Sequence, residues 1–169
     1  MAFNEDDANI YKVHSIILQS HSPYFKKKFE EIGWWGRNFY FLFVDYVNLE
    51  KFHNISFKIF DVIIKYIYGG KFSLEELENS IIFDLLISSN ELELGKLVEH
   101  LQYYHVVNHA WLKSNAAQVY RTSYQVQNFK IIQDSCNDII AKYPNIIFES
   151  ENFHSLPEDA LISILKRDD

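Results

Sequence analysis

Apolar residues along this chain fall mostly at spacings of three and four, with short continuous runs between them. The pattern predicts many helices and a small sheet. Residues 10–13 (IYKV) read as a short strand leading into residues 14–29 (HSIILQSHSPYFKKKF), which read as two short helices. Ile16, Ile17 and Leu18 make the first apolar turn, and Gln19, Ser20 and His21 interrupt it. Ser22 suits a helix N-cap, because its hydroxyl can accept from a backbone amide one turn on. Pro23 suits the first helical position, where no amide hydrogen is needed. Tyr24 or Phe25, together with Phe29, sets apolar residues one turn apart. Lys26, Lys27 and Lys28 fall toward the helix end, where positive charge favours the dipole. A hairpin this short needs the rest of a domain to cover its apolar face.

The pattern then changes. Gly33-Trp34-Trp35-Gly36 is a glycine-flanked aromatic loop, read as a cover over core in preference to a pocket. Residues 39–44 (FYFLFV) have the composition of a buried strand. With Asn54 or Ser56 as cap, Ile59, Phe60, Val62, Ile63, Tyr66 and Ile67 predict a central helix with little polar face, stopped by Gly69-Gly70. Ser73 and Glu76 have capping-box spacing, and Asn79-Ser80 can cap a helix over 81–88. Leu92, Leu94, Leu97, Val98 and Leu101 predict an amphipathic helix running to about Tyr104.

The character of the chain changes around 107–110, where a domain boundary is placed. Ala116, Ala117, Val119 and Tyr120 mark one helix beyond it. Phe129, Ile132, Cys136, Ile139 and Ile140 mark another, ended by Pro144. Ser155 and Glu158 have capping-box spacing ahead of Leu161, Ile162, Ile164 and Leu165, with Lys166 and Arg167 in the last turn. There is no internal repeat and no low-complexity segment.

Composition sharpens this. Of 169 residues, 48% are hydrophobic and 17% aromatic, enough for a packed core and against disorder. The net charge of -7 argues against a nucleic-acid face, which needs clustered cations; Lys26–Lys28 alone is a solvated helix end. The run at 39–44 is far shorter than a membrane span, and the acidic start at 1–7 is unlike a signal peptide. Cys136 is the sole cysteine, which excludes an intrachain disulfide and fits a reducing compartment, the cytoplasm or the nucleus.

Chemistry is sparse. His100, His105 and His109 could share a metal on one helix face, but no acidic or cysteine ligand has matching spacing, and Val107-Asn108 should break the helix. Cys136 falls on the apolar face of its helix, where a thiol packs as a small hydrophobe. Asn54-Ile55-Ser56 fits a glycosylation sequon and equally a helix cap, the reading preferred without a secretory signal. No nucleophile elbow, phosphate loop or dinucleotide fingerprint occurs. No catalytic residue, cofactor or metal is expected. A binding or assembly module is.

Residues 11–18 (YKVHSIIL), Ser22-Pro23-Tyr24-Phe25 and Phe29 resemble the hallmark of BTB/POZ domains: a strand, a histidine, a leucine-rich turn, then Ser-x-x-Phe. Residues 57–70 (FKIFDVIIKYIYGG) resemble the central helix of the same family, and 85–97 its following helix pair. Residues 117–120, 134–136, 148–150 and 153–157 resemble the helical BACK module that commonly follows BTB, in proteins that continue into kelch repeats or a TLDc domain.

The resemblance implies an α+β fold: a BTB/POZ-like domain over 1–107, mostly helical with a small sheet, then an incomplete all-α BACK-like helical module over 108–169. Only nine residues precede the strand at Ile10, so the family's first strand has no counterpart, and the BACK-like module ends early at Asp169. The implied function is protein–protein interaction, as a substrate adaptor for a cullin-RING ubiquitin ligase, with self-association as the alternative. The family's cullin-contact motif is an apolar residue, any residue, then Glu. The ungapped window falls on Gly33-Trp34-Trp35, which lacks the Glu, while Phe29-Glu30-Glu31 has the residue types several positions early. The candidate partner interface is Phe25, Phe29, Glu30, Ile32, Trp34, Trp35 and Tyr68. Residues 33–49 resemble no part of the family, as an insertion or a gene-model error between two intact halves would.

Overall fold

The structure, a computed structural model, describes residues 10–31, 44–48, 55–69, 72–151 and 153–166. It divides into two compact units, residues 1–95 and 96–169. That division falls one helix earlier than the change of character at 107–110.

In the first unit, β1 (Ile10–His14) pairs antiparallel with β2 (Val44–Asn48), in a register that sets Ile10 opposite Asn48 and His14 opposite Val44. The second strand therefore begins where the apolar run at 39–44 ends; residues 39–43 lie outside the described ones, as do Gly33–Gly36. Tyr11 and Val13 alternate inward with exposed Lys12 between them, as the two-residue period of a strand requires.

Helix α1 (Ser15–His21) follows β1 directly, and Gln19, Ser20 and His21 continue it, so the expected interruption does not occur. The Ser20 hydroxyl donates to the Ile17 carbonyl within the same helix. Of its apolar turn only Leu18 is fully buried, while Ile16 faces solvent. Helix α2 (Pro23–Glu31) extends two residues past Phe29, so only Lys28 lies in its last turn, where it pairs with Glu31 at 3.8 Å.

Helix α3 (Phe57–Ile67) is capped by Ser56, whose side chain accepts from Ile59 N–H at 3.4 Å; Asn54 lies outside the described residues. It buries Ile59, Phe60, Val62, Ile63, Ile64 and Ile67. Gly69, with φ of 69°, ends it in the left-handed conformation that glycine adopts without a Cβ clash. Ser73 caps nothing through its side chain, and the segment after it is only a single 3-10 turn, Leu74–Glu76. Helix α4 (Asn79–Glu91) includes Asn79 and Ser80 in its first turn, so its cap position falls on Glu78. It packs on α3 and buries Ile82, Phe83, Leu85 and Leu86.

The second unit opens with α5 (Gly95–Val107), which buries Leu97, Val98, Leu101, Gln102 and His105. Leu92 and Leu94, expected on this helix, lie in the turn before it, at 0% and 3% exposure. The break at Asn108 is present, and α6 (His109–Ser114) follows. Helices α7 (Ala116–Gln125) and α8 (Lys130–Lys142) form the main packed pair of this unit. Phe129, Ile132, Cys136, Ile139 and Ile140 are all buried, and α8 stops at Lys142, two residues before Pro144.

Gln102 fastens this unit. Its Nε2 donates to the Asn128 carbonyl at 3.0 Å, and its Oε1 accepts from Ile132 N–H at 3.3 Å, satisfying an orphan amide in the first turn of α8. A short α9 (Asn145–Phe148) and α10 (Glu158–Leu165) complete the unit. Helix α10 starts at Glu158, so Glu158 cannot reach back as the third residue of a capping box. Ser155 sits instead in a preceding 3-10 turn and accepts from Arg121 Nη1 at 3.1 Å. Only Ala160 of α10 is buried, and Leu165 is largely exposed, because the helix lies across α7 and α8 on its small residue. No helix among the described residues is long and apolar enough to cross a membrane.

Candidate partner surface

The α1–α2 corner is set by Ser22. Its side chain lies at 0% exposure, its Oγ accepts from Phe25 N–H at 3.1 Å, and its hydroxyl proton goes to the Leu92 carbonyl at 2.6 Å. The hydroxyl thus caps α2 and ties it to the turn after α4. With α2 so placed, Phe25 and Phe29 point inward, their ring centroids 6.1 Å apart and their exposures 1% and 8%. They are core residues. Their expected place on a partner interface is corrected accordingly: they support α2 from beneath and leave contact to what lies above. Glu30, beside them, is exposed. Ile32, Trp34 and Trp35 lie outside the described residues.

Tyr68 is half-buried at the end of α3 and serves the fold as well as the surface. Its hydroxyl accepts from the His14 backbone N–H at 2.6 Å, and His14 Nδ1 lies 3.0 Å from the same oxygen. Which of the two donates in that second contact depends on the imidazole tautomer. Sequence reading placed Tyr68 near a partner and missed this bond to the histidine of the opening stretch. Nothing in the local pattern of either segment could have revealed a pairing across 54 positions.

Electrostatics on this unit are acidic and local. Burial, then Asp61, raises the Tyr11 phenol; burial, then Glu91 and Glu31, raises that of Tyr24. Both phenols stay protonated and available as donors, and the Tyr11 hydroxyl donates to the Phe57 carbonyl at 3.4 Å. Large apolar side chains also reach the surface here: Ile16 on α1 is 63% exposed and Phe57, at the start of α3, is 39% exposed.

The histidines considered for a metal are dispersed by the fold. His105 is buried with its ring 4.6 Å from that of Trp111, whereas His100 and His109 are exposed and His109 belongs to α6. Among the described residues no group of three or more His, Cys, Asp or Glu is arranged to hold a metal ion. Cys136 is buried, and that burial pushes its thiol up to about 12, away from nucleophilic thiolate chemistry.

No curated protein matches the chain. The family model for the BTB/POZ domain matches residues 3–109, which includes the strand, the Ser22 corner, α3, α4 and all of α5. BTB/POZ domains are general protein–protein interaction modules that bind protein partners and associate with one another, and they are not a family of enzymes. With more than half of its length inside that match, this chain belongs to the BTB/POZ domain family.

Proposed function

We propose that the chain works as a substrate adaptor, or part of one, for a cullin-RING ubiquitin ligase, in the cytoplasm or the nucleus. The supporting observation is the family match together with an exposed Glu30 directly after the buried anchor Phe29. In this reading a cullin-type scaffold docks on the outer surface of α2 around Glu30, extended by Ile32, Trp34 and Trp35. The helical residues 108–169 serve as a BACK-like module that carries whatever selects the substrate. No cofactor and no nucleic acid take part.

Self-association without a ligase role is the second reading, and exposed Ile16 and Phe57 in the family-matched unit favour it. Size-exclusion chromatography with light scattering, run with and without a purified cullin N-terminal domain, separates the two. A stable complex that Glu30→Lys weakens supports the adaptor. Self-association without cullin binding supports the scaffold. A monomer that binds no cullin overturns both.

A further inference from the structure

Half-buried Arg121, on α7, pairs with no carboxylate among the described residues. Its guanidinium makes one hydrogen bond among them, from Nη1 to the Ser155 hydroxyl at 3.1 Å, while Nε is enclosed by protein without a partner. Exposed Lys65 and Lys130, by contrast, hold carboxylates at 2.8 and 2.6 Å. A guanidinium drawn partly out of water and given a single neutral acceptor gives up more hydration than one hydroxyl replaces. An anion at the position of that hydroxyl would complete it.

Ser155 can become that anion. It is exposed and ends the 3-10 turn Phe153–Ser155 that leads into α10. Between Lys142 and Lys166 the chain has no lysine or arginine and four exposed carboxylates, Glu149, Glu151, Glu158 and Asp159. A kinase that reads basic residues finds none here, and one that needs proline directly after the serine meets Leu156 instead. An acidic-directed kinase fits, its basic cleft taking Glu158 three residues after the serine and Asp159 four after. Ser150 offers no such pattern: Phe153 stands at its third position, and its hydroxyl donates to the Ile147 carbonyl at 3.0 Å.

We propose that Ser155 is a phosphorylation site for an acidic-directed protein kinase, and that Arg121 receives the phosphate. In the transfer, Ser155 Oγ bonds to the γ-phosphorus of Mg-ATP and gives up its proton to the kinase's base. The bond from that phosphorus to the β,γ-bridging oxygen breaks, and ADP leaves. The new group carries about -1.5 to -2 charges at about pH 7 and three acceptor oxygens, two of which match the end of the guanidinium fork. Glu158 and Asp159 repel it, but through solvent that screens them. The consequence is mechanical. Helix α10 is held by buried Ala160, whose carbonyl accepts from the Tyr120 hydroxyl at 3.0 Å. A phosphate on Arg121 adds a second tether between α7 and the entry to α10. The site shares no residue with the cullin reading and is independent of it.

The test incubates the full chain with an acidic-directed casein kinase and Mg-ATP and maps the product by mass spectrometry. Modification at Ser155 is expected, slowed on the order of tenfold by the double change Glu158→Gln and Asp159→Asn. Phosphorus NMR of the phosphorylated chain then reads the contact with Arg121. Free phosphoserine loses its second proton at about pH 6, and the native chain should lose it at least about half a pH unit lower than the same chain unfolded in urea. Arg121→Lys should keep most of that difference, and Arg121→Gln should abolish it. A Ser155 left unmodified, modification indifferent to both carboxylates, or a phosphate that titrates alike in the folded and unfolded chain overturns the proposal.

Discussion

The hydroxyl of Ser22 and the carbonyl of Leu92 meet at 2.6 Å across 70 positions of sequence, inside a core where neither sees water. The same oxygen accepts the Phe25 amide, so a single buried atom caps α2 and locks it to the turn after α4. Removing the hydroxyl leaves both the amide and the carbonyl without this partner. Ser22→Ala should destabilise the chain by about 2 kcal/mol, within the range for a lost cap and a buried unsatisfied group. Chemical denaturation followed by circular dichroism measures it. Ser22→Thr, which keeps the oxygen but adds a methyl to a filled site, should restore only part.

The His14–Tyr68 contact gives a second, smaller expectation. Tyr68→Phe keeps the ring and deletes the acceptor of the His14 amide, at a cost of about 1 kcal/mol for a half-buried bond. Because the loss falls where β1 passes into α1, amide exchange should accelerate there. Residues of the helical unit should be unaffected. A uniform acceleration throughout the chain would contradict this account.

Asp84, on α4, is the carboxyl whose titration should register in stability. Partial desolvation holds it above the usual carboxylate range, although the residue is exposed. A folded carboxyl with a raised pKa favours folding while protonated, and that contribution is lost as the pH rises through the folded value. Asp84→Asn should therefore raise the melting temperature modestly at about pH 7 and change little below about pH 3.5, under the unfolded value. Thermal melts across this range decide it. A gain that persists undiminished at the acid end would show that charge is not the cause.

The buried Cys136 thiol, pushed up to about 12, should be almost unreactive in the native chain. At about pH 8 its thiolate fraction is on the order of one in ten thousand, and burial blocks access besides. Maleimide labelling should be at least about a hundredfold slower in buffer than in denaturant. The ratio of the two rates, read by mass spectrometry, tests both burial and pKa.

Much of this architecture could be read directly from spacing. The three-and-four pattern on α8 identified its buried face residue by residue, and on α3 it missed only buried Ile64 and included Tyr66, which is half-buried, because a helix face is a local property of the sequence. Ser22 was identifiable as a cap from Pro23 alone. Its second bond to Leu92 was not, since nothing near either residue encodes a contact 70 positions away. Both capping boxes failed for a different reason. Spacing fixes which residues could reach one another, but the local backbone fixes whether they do: Ser73 precedes only a 3-10 turn and makes no side-chain cap bond, and α10 starts at Glu158, two residues later than a box on Ser155 needs. The partner surface was the least readable part. Phe25 and Phe29 carry the family pattern because the fold needs them inside, and a motif retained for packing looks the same in sequence as one retained for binding.

The reach of α5 bears on how this protein can be divided. The family match closes at residue 109, yet α5 is grouped with the residues that follow, and its Gln102 is fastened to Asn128 and Ile132. A fragment cut at the family border would keep Gln102 and discard both of its partners, exposing an amide and an apolar helix face together. Recombinant fragments ending there should be prone to aggregate, whereas chains that keep the whole unit of residues 96–169 should not. The end of the family match and the boundary between the two compact units are, in this protein, fourteen residues apart.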